Sequence, residues 1–271
     1  MVFESILHPD EVRIKPWKTT LIGLLYSSIG LIISLWVFPS DPSMSMVFLT
    51  TMAGIPLLVS VLQKEEAEDF KKKEYPLIGN HKDVLGVIFF FFIGLLISYT
   101  SWYLILPDEL VRKVFESQAT TIQSINNNVQ GSYVRNELLS LILANNFKVL
   151  LFCLIFSVLY GAGAIFIITW NASVLGTAIG NAIKNLLSDS IPYVHAIPLG
   201  FSQYLLHGVP ELIAYFLGGI AGGIISAAVI RHEPKSNKFK EVQLDSIDLI
   251  ILASVILIIS GLLEVYISIG G

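Results

Sequence analysis

The sequence predicts an all-α fold, a polytopic transmembrane helical bundle of about seven crossings. Hydrophobic residues make up 54% of the 271 positions and charged residues only 14%, against roughly 25% charge in soluble domains. Six apolar runs are long enough to cross about 30 Å of hydrocarbon. They are 19–38, 44–62, 84–106, 149–170, 205–230 and 247–268. A seventh crossing follows from the distribution of basic residues.

Charge and cysteine content argue against a nucleic-acid-binding protein and against an intrachain disulfide. The net charge of −4 and the pI near 5.7 give no basic surface for a nucleic acid. The single cysteine, Cys153, lies in an apolar run and has no intrachain disulfide partner. We interpret the first apolar run as a signal anchor. The expected location is the cell membrane, as a multi-pass protein whose main partner is the lipid bilayer.

Residues 1–83 are predicted to form an N-terminal transmembrane hairpin with a charged cytoplasmic loop. Pro39-Ser-Asp-Pro42 is a short, breaker-rich connection between the first two runs. Pro56 should kink the second span. The charged stretch 63–83 is expected to be a solvated helical extension of that span, or else a docking surface for a cytosolic partner.

Residues 84–271 are predicted to form a five-crossing core with an outer loop at 107–147. Within this loop, 135–147 carries apolar residues at helical spacing, which predicts an amphipathic helix in the membrane interface. That helix would turn at Asn145-Asn146 into the fourth span. The alternative is that it simply extends the fourth span.

The polar stretch 171–190 is assigned as a crossing because lysine and arginine accumulate on cytoplasmic loops. If it crosses, three clusters of basic residues lie on the same side of the membrane. The first cluster is Arg13, Lys15 and Lys18, the second is Lys64, Lys71, Lys72, Lys73 and Lys82, and the third is Arg231, Lys235, Lys238 and Lys240. The N-terminus is then inside and the C-terminus outside. This fifth crossing is expected to be short or broken near Gly176 and Gly180, whose spacing favours tight packing on a neighbouring helix.

The sequence also places ionisable groups at one level. Counting about 1.5 Å per residue from the inner ends of the last two spans puts Glu211 and Glu264 at similar depth toward the outer leaflet. His207 lies one turn from Glu211, and Lys148 is predicted at the same edge. A helix that begins near Gly208 would hold Pro210 in its first turn and Glu211 near its positive end.

These four residues, His207, Glu211, Glu264 and Lys148, are predicted to form a polar cluster. Ionisable groups are costly in lipid and usually face the bundle interior. One interpretation is a structural clasp between spans; another is a proton or cation site, or a small substrate pocket, open to the outside. A metal site is disfavoured because His-x-x-x-Glu supplies only two ligands, with His195 on an uncertain loop. We therefore predict no metal and no cofactor.

Small residues predict how the spans pack. Gly218, Gly219, Gly222 and Gly223 form overlapping small-x-x-x-small pairs that let helix backbones approach closely. Packing within the chain is one interpretation and a homodimer seam the other. Gly161 and Gly163 in the fourth run could supply the matching surface.

The stretch LLHGVPELIAYFLGGIAGG resembles the signature of the stage II sporulation protein M family, and the resemblance covers about residue 84 to the end. The family positions present here are His207, Gly208, Glu211, Asn145, Asn146 and Asn171. The resemblance implies a membrane component rather than a hydrolase. Bacterial relatives act in engulfment during spore formation, in a complex with cell-wall hydrolytic proteins. The family supplies no chemical role for these positions.

Three functions compete at this point. A non-enzymatic membrane scaffold would dock membrane or cell-envelope proteins through its loops. A channel or transporter would use the outer polar cluster and a broken fifth crossing. An intramembrane enzyme is disfavoured because the sequence contains no Gly-x-Ser-x-Gly, no His-Glu-x-x-His and no phosphate-binding glycine loop.

Overall fold

The computed structural model describes residues 9–69, 77–130, 135–161, 163–231 and 236–270, and all the regular structure in these ranges is helical. Seven of the described helices contain segments long and apolar enough to cross a membrane. This confirms the all-α polytopic bundle and the number of crossings. The segments are Lys18–Val37, Pro42–Lys64, His81–Ile105, Leu138–Tyr160, Ala164–Ser188, Gly208–Ile230 and Phe239–Val265.

The helices extend beyond these segments at several ends. In chain order they are α1 (Pro9–Ile14), α2 (Lys18–Val37), α3 (Pro42–Asp69), α4 (Leu77–Ile105), α5 (Asp108–Val114), α6 (Glu116–Gln130), α7 (Arg135–Tyr160), α8 (Ala164–Ser188), α9 (Tyr193–Arg231) and α10 (Asn237–Gly270).

The first two spans form the predicted hairpin. The connection lies between the end of α2 at Val37 and the start of α3 at Pro42, and α3 continues through Pro56 to Asp69. The charged stretch is thus a helical extension of the second span as far as Asp69. Glycines bring α2 against α4, since a Cβ on Gly94 would lie 2.1 Å from the Thr20 carbonyl oxygen. The hairpin and the following spans therefore share a close-packed interface.

The fourth and fifth spans differ from the prediction. The predicted fourth span covers 149–170, but α7 ends at Tyr160 and α8 begins at Ala164. Gly161 adopts a φ of +72°, a left-handed conformation that glycine takes without steric cost. Because the hydropathy stays high across this turn, the pattern gave no sign of it. The fifth span is an unbroken helix of 25 residues, so the expectation of a short or broken crossing was wrong.

The prediction of a separate interfacial helix at 135–147 is also wrong. The alternative, that this segment extends the fourth span, is correct. Residues from Arg135 through Asn145 and Asn146 to Tyr160 form one continuous helix. Two asparagines usually disfavour a helix interior. Here Asn146 is 4% exposed and its side chain is hydrogen-bonded to Glu211 and Tyr215 on α9, which offsets that preference.

The outer loop folds as α5 and α6 and is anchored to the bundle by a buried glutamine. Gln118 is 0% exposed. Its Oε1 accepts a hydrogen bond of 2.7 Å from Ser43 Oγ on α3, and its Nε2 donates one of 3.1 Å to Ser173 Oγ on α8. Each buried polar group has a partner, so this junction fixes α6 across two spans.

The sixth span belongs to a longer helix than predicted. The 39-residue α9 includes both Pro198 and Pro210 in its interior. The predicted start near Gly208 is therefore wrong, and Glu211 does not lie at a helix N-terminus. His195, assigned to an uncertain loop, lies in the first turn of α9 and is exposed.

The seven spans lead to a topology prediction that thiol labelling can check. We expect cysteines replacing Ser190 and Lys240 to react with a membrane-impermeant reagent from opposite sides, because α9 separates them. The native Cys153 is 0% exposed and should contribute little background. The positive-inside distribution places Lys240 on the cytoplasmic side. Labelling of both positions from one side would contradict seven crossings.

Candidate functional site: a polar network between α7, α9 and α10

Glu211 is the centre of a hydrogen-bonded network that joins three spans. Its Oε1 accepts a hydrogen bond of 2.6 Å from Asn146 Nδ2 on α7 and one of 3.4 Å from Ser260 Oγ on α10. Asn146 Oδ1 accepts a bond of 3.0 Å from the Tyr215 hydroxyl. The Glu264 carboxyl group on α10 lies close to that of Glu211. We call these five residues the Glu211 network.

The network is largely closed to its surroundings. Asn146 is 4% exposed, Tyr215 5% and Ser260 0%, while the two glutamates are partly buried. Ionisable groups between transmembrane helices are costly unless they are paired with polar groups. Asn146 and Ser260 supply hydrogen bonds to Glu211 here.

Close packing of α7 against α9 brings the network together. A Cβ on Gly218 would lie 2.4 Å from Leu150 Cδ1, and one on Gly222 would lie 2.6 Å from the Leu154 carbonyl oxygen. On the other side of α7, a Cβ on Gly261 of α10 would lie 2.8 Å from Leu143 Cδ2. Because glycine has no side chain, the helix backbones approach closely at these positions, and polar side chains on neighbouring helices can reach one another.

The glycine strip on α9 packs within the chain, as the first interpretation held. Gly219 packs against Ala164 at the start of α8. A Cβ on Gly223 would lie 3.0 Å from the Gly161 carbonyl oxygen. Gly161 therefore does meet the strip, but from a turn rather than from a span. Because Gly218, Gly219, Gly222 and Gly223 are all buried, they offer no seam to a second copy.

The packing of the fifth span agrees with the prediction made from Gly176 and Gly180. A Cβ on Gly176 would lie 2.9 Å from Tyr99 Cβ, and one on Gly180 would lie 2.5 Å from Tyr103 Cδ1. Gly163 lies in the turn before α8, where a Cβ would meet the Phe156 carbonyl oxygen at 2.2 Å. The least apolar span is thus held against α4, and its most apolar window is 61% buried.

The Glu211 network lies deeper along α7 than the sequence predicted. At a rise of ~1.5 Å per residue, Asn146 is about 16 Å from the α7 start at Arg135 and about 21 Å from its end at Tyr160. The prediction placed the outer edge at Lys148 because it took Val149 as the start of the span. With α7 beginning at Arg135, Asn146 lies near the middle of that helix. Glu211 and Glu264 nevertheless lie near the ends of the apolar segments Gly208–Ile230 and Phe239–Val265, as their predicted depth required.

Two of the four predicted cluster residues meet in the network. The carboxyl groups of Glu211 and Glu264 lie close to each other, as their predicted common depth required. Lys148 is exposed and does not contact them; it lies two residues from Asn146, about 200° around a helix with 3.6 residues per turn. Its predicted place in the cluster is therefore wrong. The side chain of His207 lies outside the described residues.

The other family-motif positions are spread over the bundle. Asn145 is exposed on α7, and Asn171 donates a hydrogen bond of 2.7 Å to the Ile167 carbonyl within α8. A Cβ on Gly208 would meet nothing within 4 Å. Of the family-motif residues whose side chains the structure describes, Asn146 and Glu211 join the network.

Sequence reasoning missed Tyr215 and Ser260. Both were detectable in principle, because each lies four residues from a predicted glutamate on the same helix face, Tyr215 after Glu211 and Ser260 before Glu264. An aromatic residue and a serine in apolar spans are common enough that the spacing alone did not separate them from ordinary packing positions.

The family model for stage II sporulation protein M matches residues 87–269 of the chain. The chain belongs to the stage II sporulation protein M family. The match confirms the resemblance and includes every residue of the Glu211 network. No curated protein and no solved structure matches the chain. The spans α2 and α3 precede the segment that matches the stage II sporulation protein M model.

Proposed function

We propose that this member of the stage II sporulation protein M family is a non-enzymatic membrane scaffold or assembly component of the cell membrane. The observation that supports this most is the Glu211 network, in which Asn146, Tyr215 and Ser260 are nearly fully buried and bonded to one another or to Glu211. Polar groups used to hold helices together are satisfied within the chain. A solute site needs groups left available to the solute.

The surface formed by α5 and α6 suits the docking role of such a scaffold. Val114 and Phe115 are buried and Gln118 is bonded to two spans, so this surface is held firmly on the bundle. Its exposed side is mixed in charge and polar, with Glu109, Arg112, Lys113, Glu116 and Thr120. A fixed polar surface beside the membrane fits a membrane or cell-envelope protein as partner.

Site-specific photo-crosslinking in cells tests this role. A photoreactive amino acid at Thr120 should give one discrete crosslinked protein. The matched control is Leu151 on α7, which is 52% exposed on an apolar face and should crosslink to lipid. If Thr120 gives no protein adduct, or the same adducts as Leu151, the proposed docking surface is refuted.

A second candidate function is proton or cation transport, favoured by the neighbouring carboxyl groups of Glu211 on α9 and Glu264 on α10. Paired carboxyl groups within membrane spans occur on proton and ion pathways. Purified protein in liposomes should show no proton or cation flux if it is a scaffold. Flux that falls in Glu211→Gln but not in Glu109→Gln, an exposed carboxyl outside the spans, would support transport instead.

A further inference from the structure

Two charged residues, Lys148 on α7 and Asp248 on α10, are exposed within the apolar segments of their spans. At ~1.5 Å per residue, Lys148 is about 15 Å from the start of Leu138–Tyr160 and about 18 Å from its end. Asp248 is about 14 Å from the nearer end of Phe239–Val265. Long side chains carry their charge to the membrane surface only from positions near helix ends, so both charges stay at hydrocarbon depth.

The spans α7 and α10 are the least enclosed of the seven. The most apolar window of α7 is 28% buried and that of α10 is 33% buried, against 39% or more in the others. Lys148 and Asp248 each lie in the centre of an exposed helix stripe. The exposed neighbours on these stripes are Leu141, Asn145 and Phe152 on α7 and Leu244, Ile251 and Val255 on α10. Lipid can cover the apolar side chains, but a charge at this depth needs a partner, because ionisable groups within a membrane are costly unless they are paired.

Neither charge has a counter-ion within the part of the chain that the structure describes. Over these residues, neither side chain forms a hydrogen bond or an ion pair. Glu264 belongs to the Glu211 network, and Asp245 has a partner. Lys240 and Glu241 are exposed side by side near the inner end of α10, where their charges balance. The charge that remains on the two stripes is therefore one cation and one anion.

Contacts with α9 put these two charges at nearly the same depth. Two residues after the lysine, Leu150 packs on α9, where a Cβ on Gly218 would lie 2.4 Å from its Cδ1. Two residues before the aspartate, Ser246 donates a hydrogen bond of 3.3 Å to the Ala221 carbonyl. Since α7 runs parallel to α9 and α10 antiparallel, the lysine is level with about position 216 of α9 and the aspartate with about position 219. Three residues of helical rise are ~5 Å, which the flexible lysine side chain can span.

We propose that the exposed faces of α7 and α10 bind a second copy of this chain, with Lys148 of each copy paired to Asp248 of the other. A two-fold axis along the membrane normal keeps every residue at its own depth, so a cation and an anion at nearly one depth meet twice across it. The second copy thus supplies both missing counter-ions, and the apolar neighbours pack around them. This interface lies apart from the docking surface of α5 and α6, which pack on α3 and α8, so the Thr120 crosslink does not depend on it.

One flank of the α7 stripe belongs to this interface. A Cβ on Gly261 of α10 would lie 3.6 Å from Ile142 Cγ2. Ile142 lies on the same side of Lys148 as Asn145, so that flank of α7 adjoins α10. Leu151 lies on the opposite flank, about 120° around the helix from Asn145, and faces lipid.

Thiol crosslinking between two differently tagged copies in membranes tests the interface. Lys148→Cys in one copy and Asp248→Cys in the other should give a crosslinked dimer with a short bifunctional reagent, because the second Lys–Asp pair stays intact. Leu151→Cys in place of Lys148→Cys is the matched control and should give at most about a tenth of that dimer, since its side chain points away from the interface. Equal crosslinking of the two combinations, or no crosslink from the first, would overturn the proposal.

Fluorescence energy transfer between labelled full-length copies in liposomes measures the dissociation constant of the dimer and tests the ion pairs. Lys148→Gln and Asp248→Asn should each raise this constant by about tenfold, because each change removes both interhelical pairs. The double variant should also be about tenfold weaker than wild type, since the two residues act on the same pairs. Independent losses, which would multiply to about a hundredfold, would overturn the pairing.

Glu241→Gln is the matched control, because it removes an exposed carboxylate two turns from Asp248 on the same face of α10. It should leave the dissociation constant unchanged. A wild-type chain that stays monomeric, or single variants that dimerise as wild type does, would overturn the pairing with a second copy.

Discussion

Gly222→Ala should lower the free energy of unfolding of the bundle by about 2–3 kcal/mol, the cost of overpacking a well-packed interface. The added Cβ would lie 2.6 Å from the Leu154 carbonyl oxygen and 2.7 Å from Ser157 Cβ. The first of these atoms is backbone, so α7 and α9 must move apart. That separation also lengthens the hydrogen bond from Asn146 to Glu211.

Gly208→Ala is the matched control on the same helix. Nothing lies within 4 Å of its would-be Cβ, so alanine should add up to about 1 kcal/mol through its helix propensity. Thermal unfolding in detergent, followed by size-exclusion chromatography, measures both variants. Equal transition temperatures for the two variants would show that close α7–α9 contact does not limit stability.

Glu211→Ala should destabilise the protein by about 1–3 kcal/mol, because it leaves the buried Asn146 Nδ2 group without its acceptor. The Ser260 hydroxyl loses its bond to Glu211, and Glu264 loses its neighbouring carboxyl group. The hydrogen bonds from Tyr215 to Asn146 and from Ser246 Oγ to the Ala221 carbonyl still join α9 to α7 and to α10.

Glu211→Gln should keep most of that stability. The glutamine Oε1 can accept from Asn146 and Ser260, and its Nε2 can donate to Glu264 without needing a shared proton. The free energies of unfolding of wild type and Glu211→Gln should therefore be similar, and that of Glu211→Ala should be lower. A glutamine variant as unstable as alanine would show that the charge of Glu211, rather than its hydrogen bonds, holds the network.

The sequence carried more information about which residues approach each other than about where the helices begin and end. Glu211 and Glu264 were brought to one depth by counting helical rise, and the structure joins them. Gly176 and Gly180 predicted a close approach to a neighbouring helix, which proved to be α4. In each case a fixed helical rise or a missing side chain determines the outcome, and both can be read from the sequence.

The boundaries failed where apolar composition continues across a change of backbone direction. Gly161 turns the chain inside what looked like a single span, and its φ of +72° leaves no trace in hydropathy. Asn145 and Asn146 were interpreted as a break because isolated asparagines disfavour helices. Only the buried partners of Asn146 on α9 show why α7 continues through them.

By itself, the sequence determined that this protein is a helical membrane bundle of seven crossings in the stage II sporulation protein M family. Composition, charge asymmetry and glycine spacing are sufficient for that, since a ~30 Å hydrocarbon layer restricts what can cross it. The tertiary structure alone decided that Asn146, rather than Lys148, meets Glu211. That choice depends on which face of α7 is turned toward α9, and the rotation of a helix is fixed by its packing against neighbours.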